Sequence, residues 1–320
     1  MKIHKAFWVP VLLAIIVYGV FQYLFSAGMI DAYFENIIFL ICINLIFAAS
    51  LHLIIGITGQ FSIGHAGFIS IGAYVSAVLT MKMGLPFLVA VLAGGLAAGL
   101  AGIFIGVPSF RLKGDYLAIA TLGFGEIIRI ILLNIDAVGG AAGMLVQRQT
   151  DWTTLYVALM LAILIINNFT RSTHGRACIA LREDEIAADA MGINTTYYKV
   201  IAFVIGSFFA GIGGALYAHN FYIIQPQTFG FLKSFDILIF VVLGGLGSLT
   251  GTVIATLFLT IVSSYLQDYP ETRMILYSAI LIITMIFRPQ GLMGTREWTD
   301  VLFSKRKIPG GGDGGKQTAA

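Results

Sequence analysis

The chain alternates long apolar runs with short polar breaks. Apolar segments fall near 7–25, 36–57, 60–80, 85–107, 115–134, 152–169, 197–220, 235–247, 249–266 and 272–288. Most approach the ~20 residues that an α-helix needs to cross ~30 Å of hydrocarbon. The pattern predicts an all-α polytopic membrane protein with about ten transmembrane helices. The third segment is rich in glycine and serine and the eighth is short, so these two are the weakest crossings. Ten crossings put both termini on one side. Lys2 and Lys5 precede the first run, as in a signal peptide. That run is long for a signal core and no small-x-small cleavage site follows it, so it reads as an uncleaved span. The expected organisation is an anchor span and outer loop over 1–35, a transmembrane domain over 36–294, and a tail over 295–320. The tail is polar and glycine-rich, the composition of a disordered segment.

Charge placement gives the layout a direction. Most of the nineteen basic residues fall on the side of the N-terminus, among them Lys2, Lys5, Arg111, Lys113, Arg171, Arg176, Arg182 and Lys199. Basic loops stay inside, so both termini are expected in the cytoplasm. The net charge of +3 is too small to point to nucleic acid. Cys42 and Cys178 supply neither a disulfide framework nor a zinc spacing.

Three stretches depart from the plain span-and-loop pattern. Gly59–Tyr74 reads GQFSIGHAGFISIGAY and Gly244–Gly251 reads GGLGSLTG. Each brings glycines and hydroxyls to membrane depth, where backbone groups must find partners inside protein or in a watery cavity. Gly-interrupted segments in the two halves of a chain point to a transport pathway built from internal repeats, although these two share little beyond glycine and serine. The third stretch is Gly175–Asn194, GRACIALREDEIAADAMGIN. It concentrates Arg176, Arg182, Glu183, Asp184, Glu185 and Asp189 in a chain that is only 11% charged. It reads as one short helix closed by a glycine C-cap at Gly192. Such a helix is either a plain connector or a docking element for a soluble partner.

Ionisable groups at membrane depth usually face a bundle interior or a pathway. His52, His65, Asp115, Glu126, Arg129, His219 and Asp236 qualify by position. Glu126 and Arg129 are three apart, share a helix face and are placed to pair. The pair reads equally as a buried brace or as pathway groups. The candidate pathway set is Gln60, Ser62, His65, Thr121, Glu126 and Ser248. The small residues Gly95, Gly99, Ala98, Gly102 and Gly106 fit close helix packing. No catalytic constellation or metal-ligand spacing emerges. GGLGSLTG lacks the lysine of a phosphate loop. If transport is driven by ATP, the ATPase is another chain.

Four blocks in order carry a family resemblance: GQFSIGHAGFISIGAY, DYLAIATLGFGEIIRIILLN from Asp115, GRACIALREDEIAADAMGIN with the segment following to His219, and GGLGSLTGTVIA from Gly244. The ending FRPQGLMG at Phe287–Gly294 also fits. The chain resembles the permease subunits of bacterial branched-chain amino acid ABC importers, the LivH/LivM family, on the LivM side. A departure is AVGGAAGM at Ala137–Met144, where the family often has a TGGPxG-like turn. The resemblance implies a multi-pass subunit of the bacterial cytoplasmic (inner) membrane. It implies a second, LivH-like permease subunit, two cytoplasmic ATPases that use ATP and magnesium, and an outer substrate-binding protein. This chain would bind no cofactor of its own. Gly175–Asn194 becomes the coupling helix, with Arg176, Arg182, Glu183, Asp184, Glu185, Ala187, Ala188 and Gly192 facing the ATPase. Related permeases carry urea, short amides or other amino acids, which stay open as alternative cargo. A proton-coupled secondary transporter is the alternative of a different class.

Overall fold

The computed structural model describes residues 3–110, 114–267, 269–288 and 291–294. The basic residues Arg111 and Lys113 and the 295–320 tail lie outside the described residues. Helix dominates: α1 Ile3–Ser26, α2 Ala32–His52, α3 His65–Met81, α4 Phe87–Ser109, α5 Asp115–Asn134, α6 Trp152–Arg171, α7 Thr173–Glu183, α8 Glu185–Ala190, α9 Thr195–Ala218, α10 Phe231–Gly244, α11 Leu249–Tyr265 and α12 Pro270–Phe287. A two-stranded antiparallel ribbon, β1 Met144–Leu145 with β2 Ile223–Ile224, pairs Met144 with Ile224.

Five described helices are long and apolar enough to cross a membrane: Ala32–Ile57, Phe87–Ser109, Tyr116–Asn134, Trp152–Arg171 and Thr195–Ala218. Leu13–Ser26, His65–Met81 and Leu249–Tyr265 are shorter apolar helices. The protein is therefore a polytopic all-α membrane protein. The two weak crossings are short for a physical reason. The third does not begin at 60, because Gly59 takes φ +70° and the chain stays non-helical until His65. The eighth is the 14-residue α10, about 21 Å long, which falls short of the hydrocarbon thickness.

The bundle centres on α2, α3, α4 and α9, and small residues set its spacing. Lipid gives helices no hydrophobic reason to associate, so close packing must do it. A Cβ at Gly72 of α3 would lie 2.1 Å from the carbonyl oxygen of Gly211 in α9. A Cβ at Gly94 of α4 would lie 2.7 Å from Gly72 O, and one at Gly102 would lie 2.7 Å from Ser207 Oγ. The three backbones interlock, and the expected packing role of the α4 glycines holds. α5 and α6 are the least buried of the long spans.

The segment 175–194 is not one helix. It is α7 and α8, broken at Asp184, whose backbone is extended at φ −156° and ψ 109°. Asp184 Oδ1 accepts hydrogen bonds from the backbone N–H groups of Ile186 at 2.9 Å and Ala187 at 3.0 Å. A short acidic side chain competes for backbone donors and so starts a new helix better than it continues an old one. The predicted C-cap is present. Gly192 takes φ +84°, its N–H donates to Asp189 O, and Ile193 N–H reaches back to Ala188 O. This is the Schellman pattern.

Candidate functional site: a helix junction and a helix-start cluster

α2 does not stop at His52. It continues as a π-helix over Leu53–Ile57, a widened turn frequent at functional sites. Here the end of α2 meets the Gly244–Gly251 stretch: a Cβ at Gly56 would lie 2.5 Å from Leu246 O. Arg182 of α7 reaches the same point, its Nη1 donating to Gly56 O at 2.7 Å. Gly59 provides room, since a Cβ there would lie 2.9 Å from Arg182 Cγ. Lys199 of α9 pairs with Glu185 of α8 at 2.6 Å, and Gln60 Nε2 donates to Lys199 O at 3.2 Å. Cys178 is buried with its Sγ 3.8 Å from Tyr198 O, and burial pushes its thiol up to about 12. The charged segment is thus bolted to the end of α2 and the start of α9.

This divides the expected docking residues. Arg182 and Glu185 hold the segment to the bundle, and Ala188 is buried. Arg176 is exposed, with Nη2 on Thr173 Oγ1 at 3.3 Å. Glu183, Asp184, Ala187 and Gly192 are also exposed. Ile186 at 79% and Met191 at 82% exposure belong to the outward face and were absent from the expected set. Their signal in the sequence was large apolar side chains set among the charges of the 175–194 stretch.

A second cluster sits where α3 and α10 begin. Ile63 N–H donates to Thr121 Oγ1 at 3.1 Å, and Ala66 N–H donates to Ser234 Oγ at 2.9 Å. α5 comes close because Gly64 and Gly125 face each other. Glu126 and Arg129 pair at 2.7 Å, Nε to Oε2. The other carboxylate oxygen, Oε1, accepts from Phe231 N–H at 3.1 Å, the first residue of α10. The pair is 27% and 28% exposed, so it is not a sealed brace. His65 Nε2 lies 2.9 Å from Ser50 Oγ. His65 Nδ1, Ser62 Oγ and Gln60 Oε1 are buried with no hydrogen-bond partner among the described residues.

The structure therefore gathers Thr121 and Glu126 beside the start of α3, and places Gln60 at the junction of α2, α7 and α9. Ser248 lies elsewhere, as the N-cap of α11 that accepts from Gly251 N–H at 3.1 Å. His52 is tied to Thr252 at 3.0 Å and His219 to Thr80 at 2.9 Å. Asp236 lies 3.8 Å from Arg273. A cavity of about 510 Å³ between α1, α2 and the start of α6 is lined by Glu35, Phe39, Arg148 and Trp152. Its Glu35 and Arg148 pair with each other.

Both clusters fall inside residues 33–285, which match the family described as branched-chain amino acid transport system / permease component. The chain belongs to this family. The LivM permease protein of Salmonella typhimurium, from a high-affinity branched-chain amino acid transport system, is 38% identical over 259 residues. That alignment covers 70% of this chain and 61% of the relative. LivM of Escherichia coli K12 matches to the same extent. The LivH permease protein of the same strain is 32% identical over 159 residues, covering 49% of this chain and 50% of that one. The chain thus spans about three fifths of the length of the LivM relatives it matches. Within the family match lie this junction, the helix-start cluster and, but for Ala32, all of α2 to α11.

Proposed function

We propose that the chain is a transmembrane permease subunit of an ATP-driven importer for leucine, isoleucine and valine. The family match over 33–285 carries this reading. In it the chain is a non-enzymatic subunit in the bacterial cytoplasmic membrane. It pairs with a LivH-like permease, two ATPases beneath it use ATP and magnesium, and an outer binding protein delivers the amino acid. α7 and α8 face the cytoplasm. The exposed Ile186 and Met191 enter the ATPase, while Arg182 and Glu185 pass the motion to α2 and α9.

The test is uptake of labelled leucine, and separately of urea, in cells with and without the gene. Each is run with ATP depleted and with the proton gradient collapsed. Loss of ATP-dependent leucine uptake on deletion is the expected result. Loss of urea uptake alone would keep the mechanism and change the cargo. Loss that follows the proton gradient with ATP maintained would overturn the ATP-driven reading.

The anchor makes its own prediction. Arg182→Met keeps the length of the side chain and removes its donors. A charge-assisted hydrogen bond is worth roughly 1.5–3 kcal/mol, so coupling through Gly56 should weaken about tenfold or more. Leucine uptake should drop while ATP hydrolysis by the assembled importer continues. Uptake equal to the unmodified protein would show that the Arg182–Gly56 bond transmits nothing.

A further inference from the structure

The helix-start cluster has a chemical peculiarity. Glu126 is a carboxylate held in the way that a bound carboxylate is held. One oxygen takes the guanidinium Nε of Arg129 and the other takes the first N–H of α10. Helix starts attract anions because their N–H groups are unpaired and the helix dipole is positive there. α10 is short and begins beside the middle of α5, and α3 begins beside it, with Ala66 N–H turned to Ser234. Half-helices that start inside a membrane protein commonly receive the anionic group of a substrate. Here the position is filled from within. Arg129 has two further donor groups, its Nη1 and Nη2, with no partner among the described residues. The walls nearby are apolar: Ile63, Leu122, Phe229 and Phe231 line the cleft with Glu126. The cleft is too tight to hold a water molecule.

We infer that Glu126 is an internal stand-in for the substrate's carboxylate, and that a zwitterionic amino acid passes this point by exchanging with it. The incoming carboxylate takes the Arg129 guanidinium and the Phe231 N–H. Glu126, released, takes the incoming ammonium. Ile63, Leu122, Phe229 and Phe231 meet the apolar tail. Each charge of the zwitterion finds a partner, and the chain's own pair never stands uncompensated at membrane depth, where a lone charge is costly. With no cargo the pair closes on itself and the cleft shuts. The inference rests on the proposed amino-acid cargo and goes beyond it by naming where that cargo is read.

The test uses the complete importer, with its second permease, ATPases and binding protein, reconstituted in lipid vesicles. Leucine uptake by the unmodified complex is measured first. A complex that moves urea and not leucine would overturn the proposed cargo itself, before any variant is read. Next come Glu126→Gln, Arg129→Gln, the double variant and Arg129→Lys. Glutamine keeps an acceptor for Phe231 N–H and removes the charge. Losing a charge-assisted contact should lower leucine uptake about tenfold or more. ATP hydrolysis stimulated by the loaded binding protein should stay within about twofold. Arg129→Lys, which keeps the charge without the planar fork, should recover part of the uptake. A merely structural pair predicts that the neutral double variant transports normally. Uptake by the double variant within about twofold of the unmodified complex would overturn the inference. Failure of every variant, including Arg129→Lys, to assemble would make the pair a structural brace and overturn it too.

Discussion

Gly72→Leu is expected to remove nearly all folded protein from the membrane fraction. The added Cβ would lie 2.1 Å from Gly211 O and 2.4 Å from Gly211 Cα, and both are backbone. No rotamer of a neighbour can relieve that clash. Ordinary overpacking costs about 1–3 kcal/mol, and here two helices must part along their length. α3 would also shift against α4, since Gly94 packs so closely that a Cβ there would lie 2.7 Å from Gly72 O. The measurement is the amount of monodisperse protein after detergent extraction. Gly123→Leu is the control, because nothing lies within 4 Å of a Cβ there. Wild-type amounts of Gly72→Leu would mean that α3 and α9 do not touch as described.

Gly192→Val acts by the opposite route. Nothing lies within 4 Å of a Cβ at Gly192, so no clash arises. The penalty is the backbone: φ +84° is strained for any side chain and worst for a β-branched one. Holding such a residue there costs about 1–3 kcal/mol, enough to open the turn that closes α8. Insertion should be normal, because the strain falls outside the spans. Uptake should fall about tenfold or more while ATP hydrolysis persists. Gly192→Asn should keep most of the activity, since asparagine visits the left-handed region at low cost. Normal uptake by Gly192→Val at a normal protein level would sink the claim that this turn transmits motion.

The sequence made some of this readable and hid the rest for physical reasons. Periodic apolar runs and small residues spaced along α4 describe how one helix meets others, so the bundle and its tight packing were legible. The Glu126–Arg129 pair follows from spacing within one helix. The Gly192 turn follows from a local rule about what glycine alone does cheaply. Features that depend on a distant partner were not legible. Arg182 looks like surface charge until the Gly56 carbonyl is known to lie within its reach. Ser248 looks like a membrane-depth hydroxyl until it proves to be the cap of α11. Asp184 was ambiguous, because aspartate is common in helical first turns and here begins one in mid-segment. Phe231 gave no sign, since its part is played by a backbone N–H that every residue but proline owns.

The π turn at Leu53–Ile57 is one residue of slack wound into the end of α2. Rewinding it as ordinary α-helix would release that residue. The chain beyond would advance by about 1.5 Å and swing through about 100°. That chain is Thr58–Gly64, the lead into α3. In the proposed coupling, a tug on the Gly56 carbonyl through Arg182 would have a discrete step available, like one tooth of a ratchet.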